Sequence, residues 1–271
     1  MNRNEKLALL KNNIKAMGSL AVAFSGGVDS TFLLKVAHDL LGDRALAITA
    51  TSSTYPEREL KEAIAFAKSI GAQHIVIRSE ELDIAGFAEN PTNRCYHCKK
   101  ELFTKVVELA GQHGIAHVAD GSNADDTHDF RPGMQAMREL GAVSPLMDAE
   151  LTKDEIRIIS REMGLPTWDK PSFACLSSRV PYGEAITAEK LSMIDRAEEY
   201  LLGLGFRQVR VRHHGGIARI EVGAGEREKL FSSDTMDAID KALKEIGYAY
   251  VTLDLKGYRT GSMNEVLADK T

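Results

Sequence analysis

The sequence contains very little cysteine: of its 271 residues, only Cys95, Cys98 and Cys175 are cysteines. So few thiols in a chain of this length cannot build the disulfide framework that holds small secreted domains together. The reducing cytoplasm is therefore the expected location of the protein. A hydrophobic content of 44% predicts instead that the chain buries a sizeable apolar core.

Two further absences narrow the function. No apolar run approaches the roughly 20 residues that a membrane-spanning helix needs. Charges interrupt the N-terminal stretch MNRNEKLALLKNNIKAMG, which we interpret as an amphipathic helix and not as a signal peptide. Positive charge is not in excess either, because the formal net charge is −5. We therefore expect neither a membrane nor nucleic acid as the main partner.

Over the first two thirds of the chain, short apolar runs alternate with helical patterns. One helical pattern, STFLLKVAHDLL, ends at Gly42, and a later helix begins with a capping box formed by Thr152 and Glu155. Strands separated by such helices predict an α/β fold with a doubly wound parallel sheet, whose active site lies beyond the carboxyl ends of the strands. The runs predicted as strands are LAVAF, ALAITATS, QHIVIRS and HVADGS.

After about residue 170 the pattern changes. The stretch KPSFACLSSRVPYG, rich in proline, serine and glycine, precedes a helical pattern and two runs with period-two alternation. A further helix and strand follow. We therefore predict two domains, residues 1–174 and a smaller α+β domain over residues 175–271.

The stretch AFSGGVDSTFLL places two glycines where the first strand turns into its helix. Glycines let the backbone approach an anion, and the start of a helix provides N–H groups and partial positive charge. The stretch has neither the lysine of a Walker loop nor a dinucleotide fingerprint. The alternative is a simple glycine turn with Asp29 or Ser30 as the helix cap. Hydroxyl donors come from Ser25, Ser30 and Thr31.

A second polar cluster, DGSNADDTHDFRPG, follows the fourth predicted strand. Its carboxylates would help to hold Mg²⁺, while Arg131 would face phosphate. The alternative is a solvated acidic loop with Asx turns. The carboxylates are those of Asp120, Asp125, Asp126 and Asp129.

The C-terminal part contains a pair of arginines, Arg210 and Arg212, on one face of a predicted strand. Parallel guanidinium groups suit a phosphate or a carboxylate. Arg259 lies in a glycine-flanked turn and adds a third cation. The alternative is a strand with a solvated basic face.

The segment NPTNRCYHCKKELF places Cys95 and Cys98 on one face near the start of a helix, where thiolates are favoured. Several interpretations stay open: two unreactive buried cysteines, a redox pair, or a zinc site completed by His97 or His74. Together with Cys175, the pair can also hold a 4Fe-4S cluster with one iron free to carry sulfide.

The SGGVDS loop resembles the PP-loop of the ATP pyrophosphatase superfamily. This resemblance implies cleavage of ATP to AMP and pyrophosphate, with the loop at the pyrophosphate and the end of the second strand, Thr49 to Thr51, at the adenine. In their order along residues 20–264, the motifs SGGVDS, DG…D.RPG, C.SSR.PYG, VRVR…IARIE and VTLDL.GYR.G.MN resemble one family within it. That family is the LarE family of ATP-dependent sulfur transferases.

The resemblance implies adenylation of pyridinium-3,5-biscarboxylic acid mononucleotide and replacement of oxygen by sulfur, in the biosynthesis of the nickel-pincer nucleotide cofactor. Members with a single key cysteine give up its sulfur, whereas members with a CxxC and a later cysteine resemble this chain and use a 4Fe-4S cluster. The implied cofactors are ATP, Mg²⁺ and that cluster, and sulfide or another sulfur donor is the implied co-substrate. We also expect a homo-oligomer.

The resemblance and the residue patterns together assign roles to individual residues. The catalytic residues would be Cys175 and Asp29. ATP would be bound by Ser25, Gly26, Gly27, Asp29, Ser30, Thr51, Asp125 and Arg131. The substrate would be bound by Arg210, Arg212 and Arg259, and the metals by Cys95, Cys98 and Cys175 for the cluster and by Glu198 and Glu221.

Two other functions compete with this one. A tRNA thiolase also joins a PP-loop to three cysteines, although the acidic net charge argues against it. A nucleotide- and metal-binding sensor without turnover is the alternative outside enzymes.

Overall fold

The computed structural model describes residues 1–128, 132–259 and 261–264, which belong to two compact units. The first unit comprises Met1–Ile84 and Asn93–Phe173, and the second comprises Ala85–Thr92 and Ala174–Thr271. Among the described residues, no helix is long and apolar enough to cross a membrane.

The first unit is built on four parallel strands in the order β3-β2-β1-β4. Its elements are, in chain order, α1 (Arg3–Met17), β1 (Leu20–Ala23), α2 (Val28–Leu41), β2 (Ala45–Thr51), α3 (Glu57–Ser69), β3 (Gln73–Arg78), α4 (Arg94–Gln112), β4 (His117–Ala119), α5 (Pro132–Glu139), α6 (Pro145–Asp148) and α7 (Lys153–Glu162).

Neighbouring residues of β1 belong to two different apolar clusters. Leu20 and Val22 pack with residues of α1, α2, α3 and α7, whereas Ala21 packs with residues of α4 and α5. Because successive side chains of a strand point to opposite faces, helices cover both faces of the sheet. The predicted α/β fold with a doubly wound parallel sheet is confirmed.

Helices α5 and α6 were not predicted. Helix α5 begins with Pro132 and Gly133, a pair that is typical of turns. A Cβ on Gly133 would lie 2.8 Å from Cγ of Lys99 and 3.3 Å from the carbonyl oxygen of Cys95. The glycine therefore lets α5 pack closely against the first turns of α4, a requirement that only the tertiary structure reveals.

The second unit contains α8 (Ala188–Gly203), β5 (Val209–His214), β6 (Ile217–Val222), α9 (Ser233–Ile246) and β7 (Tyr250–Leu253). Strands β5 and β6 are antiparallel, and β7 pairs in parallel with β6. The turn between β5 and β6 consists of Gly215 and Gly216, with φ values of 52° and 90°. Two left-handed residues in a row suit a tight hairpin. The additional C-terminal sheet is as predicted.

The segment Ala85–Thr92 joins the second unit through backbone hydrogen bonds. The N–H of Ile186 donates to the Ala88 carbonyl at 2.8 Å, and the N–H of Gly183 donates to that of Asn90 at 3.0 Å. The sequence-based prediction had assigned this segment to the first domain, residues 1–174. The assignment of ATP to the first domain and of substrate to the second stays a prediction.

Candidate functional site

The turn between β1 and α2 contains SGGVDS and depends on its glycines. Gly26 has a φ of 65°, and a Cβ on it would lie 3.1 Å from Cβ of Ala63 in α3. Any other residue would be strained there and crowded by α3. Gly27 is the N-cap of α2, and its carbonyl accepts the N–H of Thr31 at 3.0 Å. The loop therefore lies, as predicted, between a strand and a helix.

Hydrogen bonds of two serines, Ser25 and Ser30, stabilise this turn. The N–H of Ser25 donates to Oγ of Ser30 at 3.3 Å, the two hydroxyl oxygens lie 3.2 Å apart, and the Ser30 hydroxyl donates to the Gly27 carbonyl at 3.4 Å. Ser30 is buried, and Thr31 lies fully inside the core. Ser30 is therefore part of the buried side of the loop, whereas Ser25 is exposed to solvent.

Asp29 lies in the first turn of α2, where a negative charge is favoured. Its carboxylate forms an ion pair with Lys153 and accepts a hydrogen bond from Nδ2 of Asn123 at 3.3 Å. Neither partner was identified from the sequence. The available signal was the position of Lys153 directly after the helix cap Thr152.

The loop after β4 packs directly against this helix start. A Cβ on Gly121 would lie 3.2 Å from the backbone nitrogen of Ser30. The carboxyl ends of β1 and β4, which are neighbouring parallel strands, therefore meet at one edge. Asp129 and Arg131 lie outside the described residues.

The remaining aspartates of this loop accept hydrogen bonds from backbone N–H groups or from serine hydroxyls. Asp126 accepts the N–H of Asn123 at 3.0 Å, and Asp125 accepts the N–H of Lys153, the first residue of α7, at 2.8 Å. Asp120 accepts hydrogen bonds from two serine hydroxyls. These contacts give each aspartate a role in the loop. The Asp29 carboxylate has partners too, Lys153 and Asn123, and it lies beside the glycines of the turn.

The end of β2 was expected to line the adenine, but its residues differ in burial. Thr49 is buried, donates to the Phe24 carbonyl at 2.6 Å and lies 2.8 Å from Nε2 of His74. Ala50 and Thr51 are half-buried. Thr49 thus belongs to the sheet interior, and its contact with Nε2 of His74 leaves Nδ1 as the ring nitrogen through which His74 could ligate zinc.

Cys95 and Cys98 lie near the start of α4, three residues apart and therefore on one face. Cys95 is exposed, Cys98 is half-buried, and neither is in a disulfide. The Cys98 thiol donates to Oε1 of Glu81 at 3.7 Å, and burial raises the pKa of Glu81. In the described part of the chain, no three His, Cys, Asp or Glu side chains are grouped to hold a metal.

Cys175 directly precedes a short 3₁₀ helix, Leu176–Arg179, in the second unit. The guanidinium of Arg179 turns back and donates to the Cys175 carbonyl at 2.9 Å and to that of Ala174. Arg179 thereby fixes the backbone on either side of the Cys175 side chain. It stands in the SSR motif, but its role was not recognised from the sequence.

Arg179 and Glu198 form a fully buried ion pair with two parallel hydrogen bonds of 2.8 and 2.9 Å. Burial alone would raise the pKa of Glu198, but the guanidinium of Arg179 outweighs burial and lowers it. Burial likewise opposes the charge of Arg179, and Glu198 raises the pKa of Arg179. Glu198 also accepts the N–H of Val211 in β5 at 3.0 Å.

Arg210 is buried beside another cation. Its guanidinium lies 5.2 Å from the centroid of the Tyr258 ring and donates to the Val209 carbonyl at 2.7 Å. Burial, and then the charge of Arg179, lower the pKa of Arg210 from its ordinary value to about 10, although Glu198 acts in the opposite direction. Surroundings that disfavour the cation in this way would be stabilised by a bound anion.

Arg212 makes four hydrogen bonds to protein groups, out of the five N–H donors of its guanidinium. It forms a bidentate ion pair with Glu221, with distances of 3.0 and 2.8 Å, and donates to the Ser178 carbonyl at 2.8 Å and to Oγ of Ser262 at 2.9 Å. The two arginines predicted to act alike therefore have different surroundings.

Arg219 extends this network across the sheet. It contacts Glu221 and Asp254, each at 3.2 Å, and Asp254 also forms an ion pair with Arg259 at 3.3 Å. Glu221, like Glu198, is thus a buried arginine partner. The predicted substrate-binding residue Arg259 lies in the same network of charges.

Comparison with known proteins agrees with this architecture. Residues 3–107 match the NAD synthase family. The whole chain is similar to an uncharacterised protein of Synechocystis, with 45% identity over 97% of this chain and 98% of that protein. It is also similar to pyridinium-3,5-bisthiocarboxylic acid mononucleotide synthase of Lactiplantibacillus plantarum, with 37% identity over 97% of this chain and 95% of that protein. A subunit of GMP synthase from Archaeoglobus fulgidus is 25% identical over 67% of this chain and 63% of its own length.

Proposed function

Because the chain belongs to the pyridinium-3,5-bisthiocarboxylic acid mononucleotide synthase family, we propose that it is an ATP-dependent sulfur transferase acting on pyridinium-3,5-biscarboxylic acid mononucleotide in nickel-pincer cofactor biosynthesis. A substrate carboxylate attacks the α-phosphorus of ATP, and pyrophosphate leaves. A sulfur nucleophile then attacks the acyl adenylate, and AMP leaves with the former carboxylate oxygen. The similarity along the full length of the curated synthase carries this proposal.

In the first unit, the N–H groups at the start of α2 and the exposed Ser25 would bind the pyrophosphate part of ATP. Asp29 would hold the Mg²⁺ that accompanies ATP, since Lys153 and Asn123 keep its carboxylate in place. Thr51, at the end of β2, would line the adenine. Their placement near the carboxyl ends of the strands supports these roles.

In the second unit, Arg210 would bind the substrate phosphate, because its surroundings favour an anion. Arg212 and Arg259 would support this site through their carboxylate partners. Glu198 and Glu221 would bind a cation only by giving up Arg179 and Arg212, so the paired geometry favours a positioning role for both carboxylates.

The proposed function is tested by incubating the protein with ATP, Mg²⁺, sulfide and the biscarboxylic mononucleotide, and by following nucleotides and products by mass spectrometry. We expect AMP and pyrophosphate in equal amounts, together with a product in which sulfur replaces a carboxylate oxygen. Release of ADP and orthophosphate would contradict the proposal. A parallel reaction with unfractionated tRNA in place of the mononucleotide would reveal a tRNA thiolase, and binding without turnover would reveal a sensor.

Replacing Arg210 by methionine is expected to weaken binding of the mononucleotide about ten- to a hundredfold, the usual effect of losing a charge-assisted contact. ATP binding should be unchanged. Removing Arg210 relieves its repulsion by Arg179 and also removes its attraction to Glu198, so the melting temperature of the variant is measured beside binding. Isothermal titration calorimetry with each ligand checks both expectations. The control is Arg196→Met, which removes an exposed arginine of α8; a similar loss there, or equal losses for both ligands, would contradict a phosphate contact.

We also propose that Cys95, Cys98 and Cys175 hold one 4Fe-4S cluster. None of the three is in a disulfide, and two share one face at the start of a helix. Along the chain, the crossings from one unit to the other at residues 92–93 and 173–174 each lie within three residues of a cysteine. When bound, such a cluster would supply an iron to which sulfide can attach.

Anaerobically purified protein is expected to contain about four irons per chain, and replacing any one cysteine by alanine should remove most of them. Iron content and visible absorption measure this directly. His97→Ala is the informative control, because His97 lies between the paired cysteines and would be needed only for a zinc site. Stoichiometric zinc in the wild type, lost in His97→Ala, would overturn the cluster proposal.

A further inference from the structure

Four consecutive carbonyl groups at the turn into α2, those of Phe24, Ser25, Gly26 and Gly27, accept hydrogen bonds from the protein. The first and the last accept from Thr49 in β2 at 2.6 Å and from Thr31 in α2 at 3.0 Å. The two central carbonyls, those of Ser25 and Gly26, accept from side chains elsewhere in the first unit. These two side chains have no role in the function described above.

Tyr55 binds the first of the two central carbonyls. Its hydroxyl donates to the Ser25 carbonyl at 2.9 Å, and its ring meets the edge of Phe173, with ring centroids 5.8 Å apart. Burial, and then the charges of Glu59 and Glu62, raise the pKa of Tyr55 above its ordinary value. The hydroxyl therefore keeps its proton and acts as a donor at every physiological pH.

Lys170 binds the second of the two central carbonyls, that of Gly26. Its Nζ donates to the Gly26 carbonyl at 3.2 Å and forms ion pairs with Glu59 at 2.7 Å and Glu62 at 2.6 Å. Arg157 in α7 holds the Lys170 backbone by donating to its carbonyl at 2.8 Å. The two carboxylates more than offset the charge of Lys170, and its third contact is the hydrogen bond to the loop backbone.

In a trans peptide, the C=O and N–H groups point in opposite directions. Holding the carbonyls of Ser25 and Gly26 toward Tyr55 and Lys170 therefore turns the N–H groups of Gly26 and Gly27 to the other side of the loop. We infer that Tyr55 and Lys170 are positioning residues, which aim these two N–H groups at the pyrophosphate part of ATP. This inference rests on the proposed ATP-binding role of the loop.

The test measures binding of inorganic pyrophosphate and of AMP, each with Mg²⁺, by calorimetry. In Tyr55→Phe, which loses only the hydroxyl, pyrophosphate binding is expected to weaken about three- to tenfold, the usual effect of one hydrogen bond. AMP binding should be unchanged. Lys170→Met should produce the same selective loss, with an additional fall in melting temperature because the buried Glu59 loses its partner at 2.7 Å and keeps the more distant Arg58 at 3.9 Å.

The second unit provides matched controls. Tyr200 donates to the Ala238 carbonyl at 3.3 Å, and Lys229 donates to the Gly205 carbonyl at 3.0 Å and pairs with Glu226. Tyr200→Phe and Lys229→Met remove the same kinds of contact and should leave pyrophosphate binding unchanged.

The outcomes separate this inference from the proposed function. If the wild type binds neither ATP nor pyrophosphate, the proposed function fails. If the wild type binds pyrophosphate and Tyr55→Phe binds it equally well, the positioning role is wrong. If Tyr55→Phe weakens AMP and pyrophosphate alike, the hydroxyl only stabilises the fold. A loss confined to pyrophosphate supports the positioning role.

Discussion

Replacing Asp29 by asparagine is expected to reduce AMP formation about a thousandfold, the scale of losing a preorganised charge at a phosphoryl-transfer site. Asparagine has nearly the same shape and keeps one oxygen acceptor, so Asn123 still has a partner. The variant lacks the negative charge that would hold Mg²⁺ and that neutralises Lys153. An uncompensated lysine at this position would attract the ATP phosphates and hold them out of register.

The chain provides a matched control for this variant. Asp39 lies in the same helix and also pairs with a lysine, Lys35, but away from the loop and near the surface. Asp39→Asn should therefore leave AMP formation within about twofold of the wild type, since exposed pairs contribute little. Steady-state rates and melting temperatures of both variants are compared. An Asp29→Asn protein that retains more than about a tenth of the activity would show that Asp29 does not act on the nucleotide.

Replacing Arg179 by methionine is expected to cost the second unit about 3 kcal/mol in free energy of unfolding, because it leaves Glu198 charged, fully buried and without its bidentate partner. The loss should also displace Cys175, whose carbonyl Arg179 holds. Urea unfolding followed by circular dichroism measures the change in stability.

The pH dependence of this difference distinguishes a lost charge pair from lost packing. In the wild type the pKa of Glu198 is lowered, so its contribution is fully present above its ordinary pKa of 4.5 and is lost as the pH falls through the lowered value. In Arg179→Met, burial is no longer opposed by Arg179 and raises the pKa of Glu198. That variant therefore gains stability as the pH falls toward the raised pKa. The gap between the two proteins should be widest near pH 7 and should narrow toward pH 5.

The control for stability is an exposed ion pair. Arg3 contacts Glu162 at 2.8 Å on the surface of the first unit, and Arg3→Met should cost less than about 1 kcal/mol. If Arg179→Met cost no more than Arg3→Met, or if its deficit were the same at pH 5 and pH 7, the buried pair would not be an important contribution to the fold.

Most of the fold was predictable from local signals. The strands of both sheets and most of the helices follow from apolar spacing, and the capping box of Thr152 and Glu155 marks the start of α7 as predicted. Such signals involve only a few neighbouring residues, so they can be recognised from the sequence alone. Helix α5 was missed because its Pro-Gly start is explained only by the packing of Gly133 against α4.

In the candidate site, too, some features were predictable from the sequence and others were not. The SGGVDS turn was recognisable, because glycines between a strand and a helix have a local conformational reason. The metal-binding role of the three cysteines stays a prediction, since it requires Cys175 to join Cys95 and Cys98, from which it is far apart in the sequence. The two-residue spacing of Arg210 and Arg212 suggests that they act alike. Their surroundings differ, however, because Arg179 lies beside Arg210 and Glu221 lies beside Arg212.

The sequence by itself determined the α/β class, the nucleotide loop and the family, since these depend on short motifs and periodicities that any fold of this type must contain. Only the tertiary structure decided which side chains hold those motifs in place. Lys153 reaches Asp29 across 124 residues, and Lys170 reaches Gly26 across 144. Such pairings arise when parallel strands bring their carboxyl ends to one edge and burial requires every polar group there to find a partner. That requirement acts on neighbours in space, and neighbours in space leave no spacing pattern along the chain.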